Sequence, residues 1–522
     1  MSLDESSSLY ADSEPGYRCT KLDSGVPPPS MSTMPLSNRN PRGSNANVPG
    51  QHSRGSHQVQ YQQPRQSQHN LPSRHHGGVG SHPVARPAPP PPVPSDVDAA
   101  MARFFVVINN THPPGFIEKL TTLEWSRMMS ERDDVRGRRP DIRLIGDMGL
   151  LSEIDRQKDI LQKLSLSTAE YRSVCAQSNP YEALQHCSTF DSESAVVLGQ
   201  VDFLLQPVRE YLGRPGKQLR FVDLGSKKGG FSQYILWRAS RQARGGEEGA
   251  RGWYFGNAGA KQDPGTDSGG GHGVEIDMRR MTLECGGSAA GLLSVFKQGT
   301  NILDPATVEA FVEFVMGGND GTASIDLVVA EHYWNDMPDY ALGLERLQYA
   351  YTIAQAVIAL RVLRQGGTFV FKMAEAVTPL SAEILFLVFA CFERMATVRS
   401  LASKPTSAER FIVCNHLKGD PRPIATHLLS ALAKIFADQF KLSHLVSWTN
   451  VSGSKQFIGP LCHANSKLAR TQVTALKTVS AAASDRKPTT RSDMEECFSP
   501  STLQTETAER LLKSWGLPVA SL

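Results

Sequence analysis

The sequence has no surplus of either charge: 55 Lys and Arg stand against 52 Asp and Glu in 522 residues, a formal net charge of +3. Composition alone therefore writes in no general affinity for nucleic acid, and any phosphate-binding surface must be a local patch. Cysteine is scarce, with eight residues that form neither a CxxC pair nor a regular spacing. That argues against a disulfide framework and against a zinc site, and leaves reduced, mostly buried thiols. Long apolar runs are missing too. The most apolar stretch, around Ile384 to Phe392, falls short of the roughly 20 residues that cross a bilayer. The start, Met1-Ser2-Leu3-Asp4-Glu5, lacks the basic region and apolar core of a signal peptide. These absences predict a soluble, intracellular protein with no membrane partner.

Residues 1–98 are also low in aliphatics and rich in Ser, Pro, Gln, His and Gly. Such a segment cannot bury enough apolar surface to offset its ordering entropy, so it is predicted to be disordered. Its proline run, Pro89 to Pro94, fits an SH3- or WW-type partner or serves as an extended spacer. Residues 99–165 read as an N-terminal α/β extension. They hold a strand over Phe104 to Ile108, a helix over Pro114 to Met129, and a helix over Ser152 to Leu164 capped by Ser152. Between them, Arg136-Gly137-Arg138-Arg139 with Arg143 is a basic cluster that suits RNA phosphates, nuclear import or a solvated loop.

The chain is organised around residues 220–234. Phe221 to Leu224 is a short buried-strand run containing Asp223; Gly225, Gly229 and Gly230 mark a tight turn; a helix opens at Phe231. Strand, glycine turn and helix make up the architecture of a nucleotide-type cofactor site, because glycine admits close backbone approach and the helix start offers free N–H groups. The spacing matches neither the dinucleotide fingerprint nor the P-loop. Alone, the turn is either a cofactor site or an ordinary strand–helix connection. A second unit follows: strand Ile325 to Ala330, the polar run Glu331 to Asp336, an amphipathic helix over Leu344 to Arg364, Gly366-Gly367, and strand Thr368 to Lys372. Polar residues at the carboxyl ends of parallel strands sit where open α/β sheets bind ligands. Arg410 to Cys414 adds another strand. The expected fold is α/β, Rossmann-like, with a mostly parallel, doubly wound sheet. Residues 240–272 read as a Gly-rich surface insertion, and Val274 to Asp277 as the second strand. Glu275 or Asp277 there either binds a ribose hydroxyl or ends a strand in solvent. Residues 421–522 form a C-terminal extension: a helix over Pro423 to Phe436, a strand pair over Ser443 to Ile458, a polar linker over 481–501, and a helix over Thr505 to Trp515.

Four stretches in this order carry a family resemblance. They are Asn179-Pro180-Tyr181-Glu182, Gly229 to Arg238, Gly366 to Lys372, and Ser403 to Cys414. Together they resemble the FtsJ-like RNA 2′-O-methyltransferases, closest to the eukaryotic cap-specific mRNA nucleoside-2′-O-methyltransferases. The likeness runs from about Tyr171 to Lys418, within an expected domain at 166–420. It implies S-adenosylmethionine as cofactor, capped mRNA or another RNA as partner, and a nuclear location, with the cytoplasm as a second one. It places Lys372, Glu331 and Glu409 as catalytic residues. Asn179, Asp223, Gly225, Gly229, Gly230, Phe231, Asn301 and Ile302 fall at the cofactor, and Lys404 and Trp334 at the substrate. No metal is implied.

The chain departs from the family pattern at several positions. The family's catalytic tetrad is Lys-Asp-Lys-Glu. Here Val197 occupies the first lysine's place, and Glu331 that of the aspartate. Lys227-Lys228 replaces a Gly-Pro pair before the glycines, Asn301 stands for an aspartate, and Cys175 and Gln177 stand where arginines precede Asn-Pro-Tyr-Glu. Three readings follow: a cap-type ribose methyltransferase, a degenerate relative that binds RNA or a partner without turnover, or a methyltransferase acting on another substrate.

Overall fold

A computed structural model describes residues 105–112, 116, 145–186, 190–212, 217–242, 249–256, 292–296, 301–318, 321–331, 341–437, 442, 444–485 and 500–519. Residues 1–98 with Pro89–Pro94, the arginine cluster at 136–143, Glu275, Asp277, Tyr333 and Trp334 lie outside them. The described residues all belong to one compact unit, 84–522.

The strands are β1 (Phe105–Asn109), β2 (Leu219–Leu224), β3 (Ala250–Phe255), β4 (Leu293–Val295), β5 (Ile325–Ala330), β6 (Leu363–Met373), β7 (Phe392–Val398) and β8 (Arg410–Leu417). They form one sheet in the order β1-β7-β8-β6-β5-β2-β3-β4. From β4 to β6 every neighbour is parallel. β8 is antiparallel to both β6 and β7, and β1 is antiparallel to β7. Successive residues of the central strands feed opposite cores, as a two-residue period requires. Val222, Leu224, Val328, Phe369 and Phe371 face one core; Phe221, Leu327, Val329 and Val370 face the other.

The helices are α1 (Met148–Lys163), α2 (Thr168–Ser178), α3 (Glu193–Leu205), α4 (Gly230–Gln242), α5 (Pro305–Gly317), α6 (Ala341–Val362), α7 (Pro379–Ala390), α8 (Arg422–Ala437), α9 (Trp448–Gly453), α10 (Lys455–Ser484) and α11 (Thr502–Trp515). The first core takes side chains from α5, α6, α7 and α8, and the second from α3, α4 and α11. Helices thus cover both faces, and the doubly wound architecture expected from the sequence is present.

Four local expectations change. Helix α1 begins at Met148, not Ser152, because the Asp147 carboxylate accepts from the N–H groups of Gly149 and Leu150. Helix α6 is not amphipathic over its described part: Ala350, Ile353, Ala354, Ala356, Val357, Ile358, Ala359 and Leu360 are all buried. The stretch 240–272 contains β3, which pairs with β2 in parallel where Val274 to Asp277 had been expected. Ser443 to Ile458 is no strand pair but carries α9 and the start of α10. There the fully buried Glu383 carboxylate accepts from the N–H groups of Leu445 (2.6 Å) and Val446 (3.4 Å), diverting them from any ladder.

The C-terminal helix docks back onto the domain. Ser501 and Gln504 form a capping box at its start. The Gln504 amide also donates to the carbonyls of Ala176 (3.0 Å) and Asn179 (2.7 Å). At its far end, Arg209 and Arg238 donate to the Trp515 carbonyl at 2.7 and 3.3 Å.

Packing at β3 makes a test. A Cβ on Gly252 would lie 2.3 Å from the Phe221 ring and 2.7 Å from Leu293 Cδ1, and Phe221 is fully buried. Gly252→Ala is expected to cost about 1–3 kcal/mol by overpacking, read as a lower urea midpoint at unchanged m-value.

Candidate active site

Three elements distant in sequence bring Lys372, Glu331 and Glu409 together. The β6–β8 register sets Lys372 opposite Phe411, so Glu409 stands just before β8 beside the end of β6. Glu331 follows β5, and its N–H donates to the Leu224 carbonyl at 3.2 Å, which seats it between β5 and β2. The Lys372 ammonium lies 2.6 Å from Glu409 Oε2 and 3.3 Å from Glu331 Oε1. Lys372 and Glu331 are buried, at 7% and 4% exposure. Desolvated charges of this kind persist only when paired, and the pairing fixes their geometry. Glu409 is further held by the Ser403 hydroxyl, which donates to Oε1 at 2.6 Å. Val197, at the position of the family's first lysine, is buried in the apolar core.

The glycine bend after β2 is closed by its own side chains. Asp223 is fully buried and accepts four hydrogen bonds: from Ser226 N (3.1 Å) and Oγ (2.6 Å), and from Ser232 N (3.0 Å) and Oγ (2.7 Å). Burial pushes its carboxyl up to about 6, although these hydrogen bonds pull the other way. The Tyr254 hydroxyl donates to the Ser226 carbonyl at 3.0 Å. Burial, with the charges of Asp223 and Glu331, holds that phenol well above its ordinary range. Gly225 and Gly229 have φ of 75° and 66°, and Lys228 shares the left-handed region at 49°. The Lys228 side chain is exposed, so it does not plug the bend. At Gly230 a Cβ would come within 2.9 Å of Ser194 Cβ, so this glycine serves the approach of α4 to α3.

The remaining cofactor candidates are placed as follows. Phe231 is fully buried, edge-on to Phe411. Ile302 is fully buried in the first core. Asn301 is exposed, and its amide oxygen accepts from Leu303 N at 3.0 Å. Asn179 caps the end of α2; its side chain accepts from Tyr181 N and donates to Glu182 Oε2 at 2.9 Å. The Asn-Pro-Tyr-Glu stretch is therefore a helix end followed by a short 3-10 turn, Glu182–His186, rather than a Pro-initiated helix. Lys404 is exposed on the loop before β8.

The bend was legible as glycines, but Ser226, Ser232 and Tyr254, which lock it, were not singled out. Their signal was a hydroxyl three and nine residues after Asp223. The lock also bears on the ligand. The N–H groups of Gly229, Phe231 and Ser232 are committed to Ser226 and Asp223, leaving those three unavailable to a pyrophosphate. An adenosyl amino acid needs no such cradle. The residues present fit S-adenosylmethionine better than a dinucleotide.

The sheet carries an acid-anchored glycine bend and a Lys–Glu–Glu cluster at its carboxyl edge, the layout of a Rossmann-like α/β fold. The family match is specific: residues 205–417 fit the family described as FtsJ-like methyltransferase. That stretch is similar to the FtsJ-like methyltransferases, a class whose cofactor is S-adenosylmethionine. The chain is 25% identical over 366 residues to the cap-specific mRNA (nucleoside-2′-O-)-methyltransferase 1 of Ailuropoda melanoleuca, covering 67% of this chain and 40% of that protein. Its likeness to the protein of that name from Drosophila melanogaster is 22% over 386 residues, covering 71% and 44%. This chain thus matches less than half the length of these relatives. Among solved structures, human methyltransferase-like protein 13 in complex with SAH aligns over 46% of this chain and 90% of its own, at 12% identity and a TM-score of 0.24, too loose a likeness to carry weight.

Asp223 supplies a pH test. Its folded carboxyl holds the proton to about 6 against an ordinary 3.8, so the native state binds more protons across that interval. Its contribution to stability is therefore greatest below that window and falls by about 3 kcal/mol as pH rises through it. Asp223→Asn is expected to flatten this slope, read as a smaller difference in urea stability between about pH 4 and pH 7 than in the parent.

Proposed function

We propose that the protein methylates a ribose 2′-hydroxyl of RNA near the 5′ cap, using S-adenosylmethionine, and that it acts in the nucleus. The observation that carries this reading is the Lys372 ammonium held at 2.6 and 3.3 Å by Glu409 and Glu331. It sits at the same sheet edge as the glycine bend. Gly225 and Asn301, on the edge that Asp223 fixes from below, are the residues that would hold the cofactor, and the exposed Lys404 would meet an RNA phosphate. S-adenosylmethionine supplies an electrophilic methyl group when bound. Lys372 would orient the acceptor hydroxyl through Nζ, and once Glu331 or Glu409 has accepted one ammonium proton, Nζ would take the proton that the hydroxyl releases as its oxygen bonds to the methyl carbon. Glu331 and Glu409 keep that nitrogen fixed, and Ser403 in turn fixes Glu409. Positioned proton transfer of this kind contributes roughly 10²–10⁴-fold, and alignment contributes the rest.

A second reading, binding without turnover, is favoured by one observation. Val197 lies in the apolar core where the family's first lysine would stand. Trp334 and Pro89–Pro94, outside the described residues, remain candidates for base stacking and for an SH3- or WW-type partner.

Two measurements decide between these readings. Calorimetry with S-adenosylmethionine should show binding; no heat at millimolar ligand would remove the catalytic reading. Methyl transfer to capped RNA should fall at least about 10²-fold in Lys372→Ala, with cofactor affinity no weaker. Cofactor and RNA binding without any transfer by the parent would establish the second reading.

A further inference from the structure

Arg399 is a fully buried guanidinium, 2% exposed, with no place in the tetrad resembled by this site. It follows β7, and the β7–β8 register sets Val398 opposite Phe411, so Arg399 reaches the edge beside Arg410 and Glu409. One of its nitrogens, Nη2, donates to three carbonyls: Lys404 at 3.1 Å, Pro405 at 2.6 Å and Ser407 at 2.6 Å. These carbonyls belong to the loop that delivers Glu409. Inside the loop, Ser407 N donates to the Lys404 carbonyl at 3.0 Å, and Glu409 N to Ser407 Oγ at 3.1 Å. The loop thus winds round the guanidinium, and Glu409 leaves it already aimed at Lys372.

The geometry points to Arg399 as the positioning residue for Glu409: a buried cation that holds the 404–407 loop by its carbonyls and the Glu409 carboxylate by charge. Burying a guanidinium is unfavourable, and here desolvation lowers its pKa to about 10 while Glu409 raises it and Arg410 lowers it. Such a charge is retained when it fixes a geometry that neutral packing would leave loose. Arg399 touches neither Lys372 nor the reacting atoms; it acts through Glu409. As a device for methyl transfer it depends on the function proposed above. As a constraint on the loop it does not.

The test compares Arg399→Gln with Arg399→Lys in the full chain. A lysine ammonium keeps the charge and has three donors for three carbonyls, whereas glutamine loses the charge. With capped RNA, Arg399→Gln should lower kcat about a hundredfold, as a misplacement of ~1 Å does. The calorimetric Kd for S-adenosylmethionine should stay within about twofold, because the groups at the glycine bend are untouched. Arg399→Lys should recover kcat to within about tenfold. Amide hydrogen exchange gives a readout free of turnover. In Arg399→Gln, exchange at residues 403–409 should rise at least about tenfold while β2 and β6 keep their protection. If the parent transfers no methyl group, this exchange pattern alone decides the positioning role. The inference is overturned if exchange at 403–409 is unchanged, if it rises equally across the sheet, or if kcat and cofactor Kd worsen together and Arg399→Lys rescues neither.

Discussion

An ammonium taken out of water between two carboxylates holds only if all three are delivered within hydrogen-bonding distance by elements that cannot drift. Here the delivery is done by strand register. The pairing of Ala330 with Phe371 and of Lys372 with Phe411 brings the ends of β5, β6 and the start of β8 to one edge. Because side chains alternate, a one-residue slip would send Lys372 into a hydrophobic core and Phe371 to the edge. Two cores, one on each face of the sheet, make that slip prohibitive. The site's geometry is therefore a product of hydrophobic packing.

The glycine bend obeys the same logic on a smaller scale. Asp223 takes four donors from two serines and so turns a loop into a fixed platform. A non-glycine residue, Lys228, tolerates a left-handed backbone there because its neighbours over-determine the turn. Of the two lysines that look out of place in the sequence, Lys228 points to solvent and so does not face a cationic cofactor. The polar machinery and the apolar core are continuous at this point: Phe231, one residue past the glycines, packs on Phe411, the partner of Lys372.

Much of this was legible in the sequence. The runs at Phe221, Ile325, Thr368 and Arg410 became central strands, because continuous β-branched and aromatic stretches next to glycine have few alternatives in an α/β chain. The Lys372, Glu331 and Glu409 set was placed by family pattern, and the structure brings all three together. What escaped has physical causes. Strand β3 hides in a Gly- and Arg-rich stretch, and its pairing with β2 comes from tertiary context, since half of Ala250–Phe255 has weak strand propensity. The helices after 443 were misread because the buried Glu383, sixty residues away, satisfies backbone groups there. Arg399 carried no local signal, for its ligands are main-chain oxygens, and any sequence supplies those.

The domain recognised by family ends at 417, yet the polypeptide that shields it does not. Ile424, Leu428, Leu432, Phe457 and Leu461 complete one core, and Ala508, Leu511, Leu512 and Trp515 the other. A single glutamine of the last helix grips the carbonyls of Ala176 and Asn179. Homology therefore draws a boundary that folding does not respect. Excised at the family's limits, the sheet would present two greasy faces to water. The tail is better regarded as the second half of the enclosure than as an appendage, and residues far from the Lys372 cluster set the conditions under which it exists.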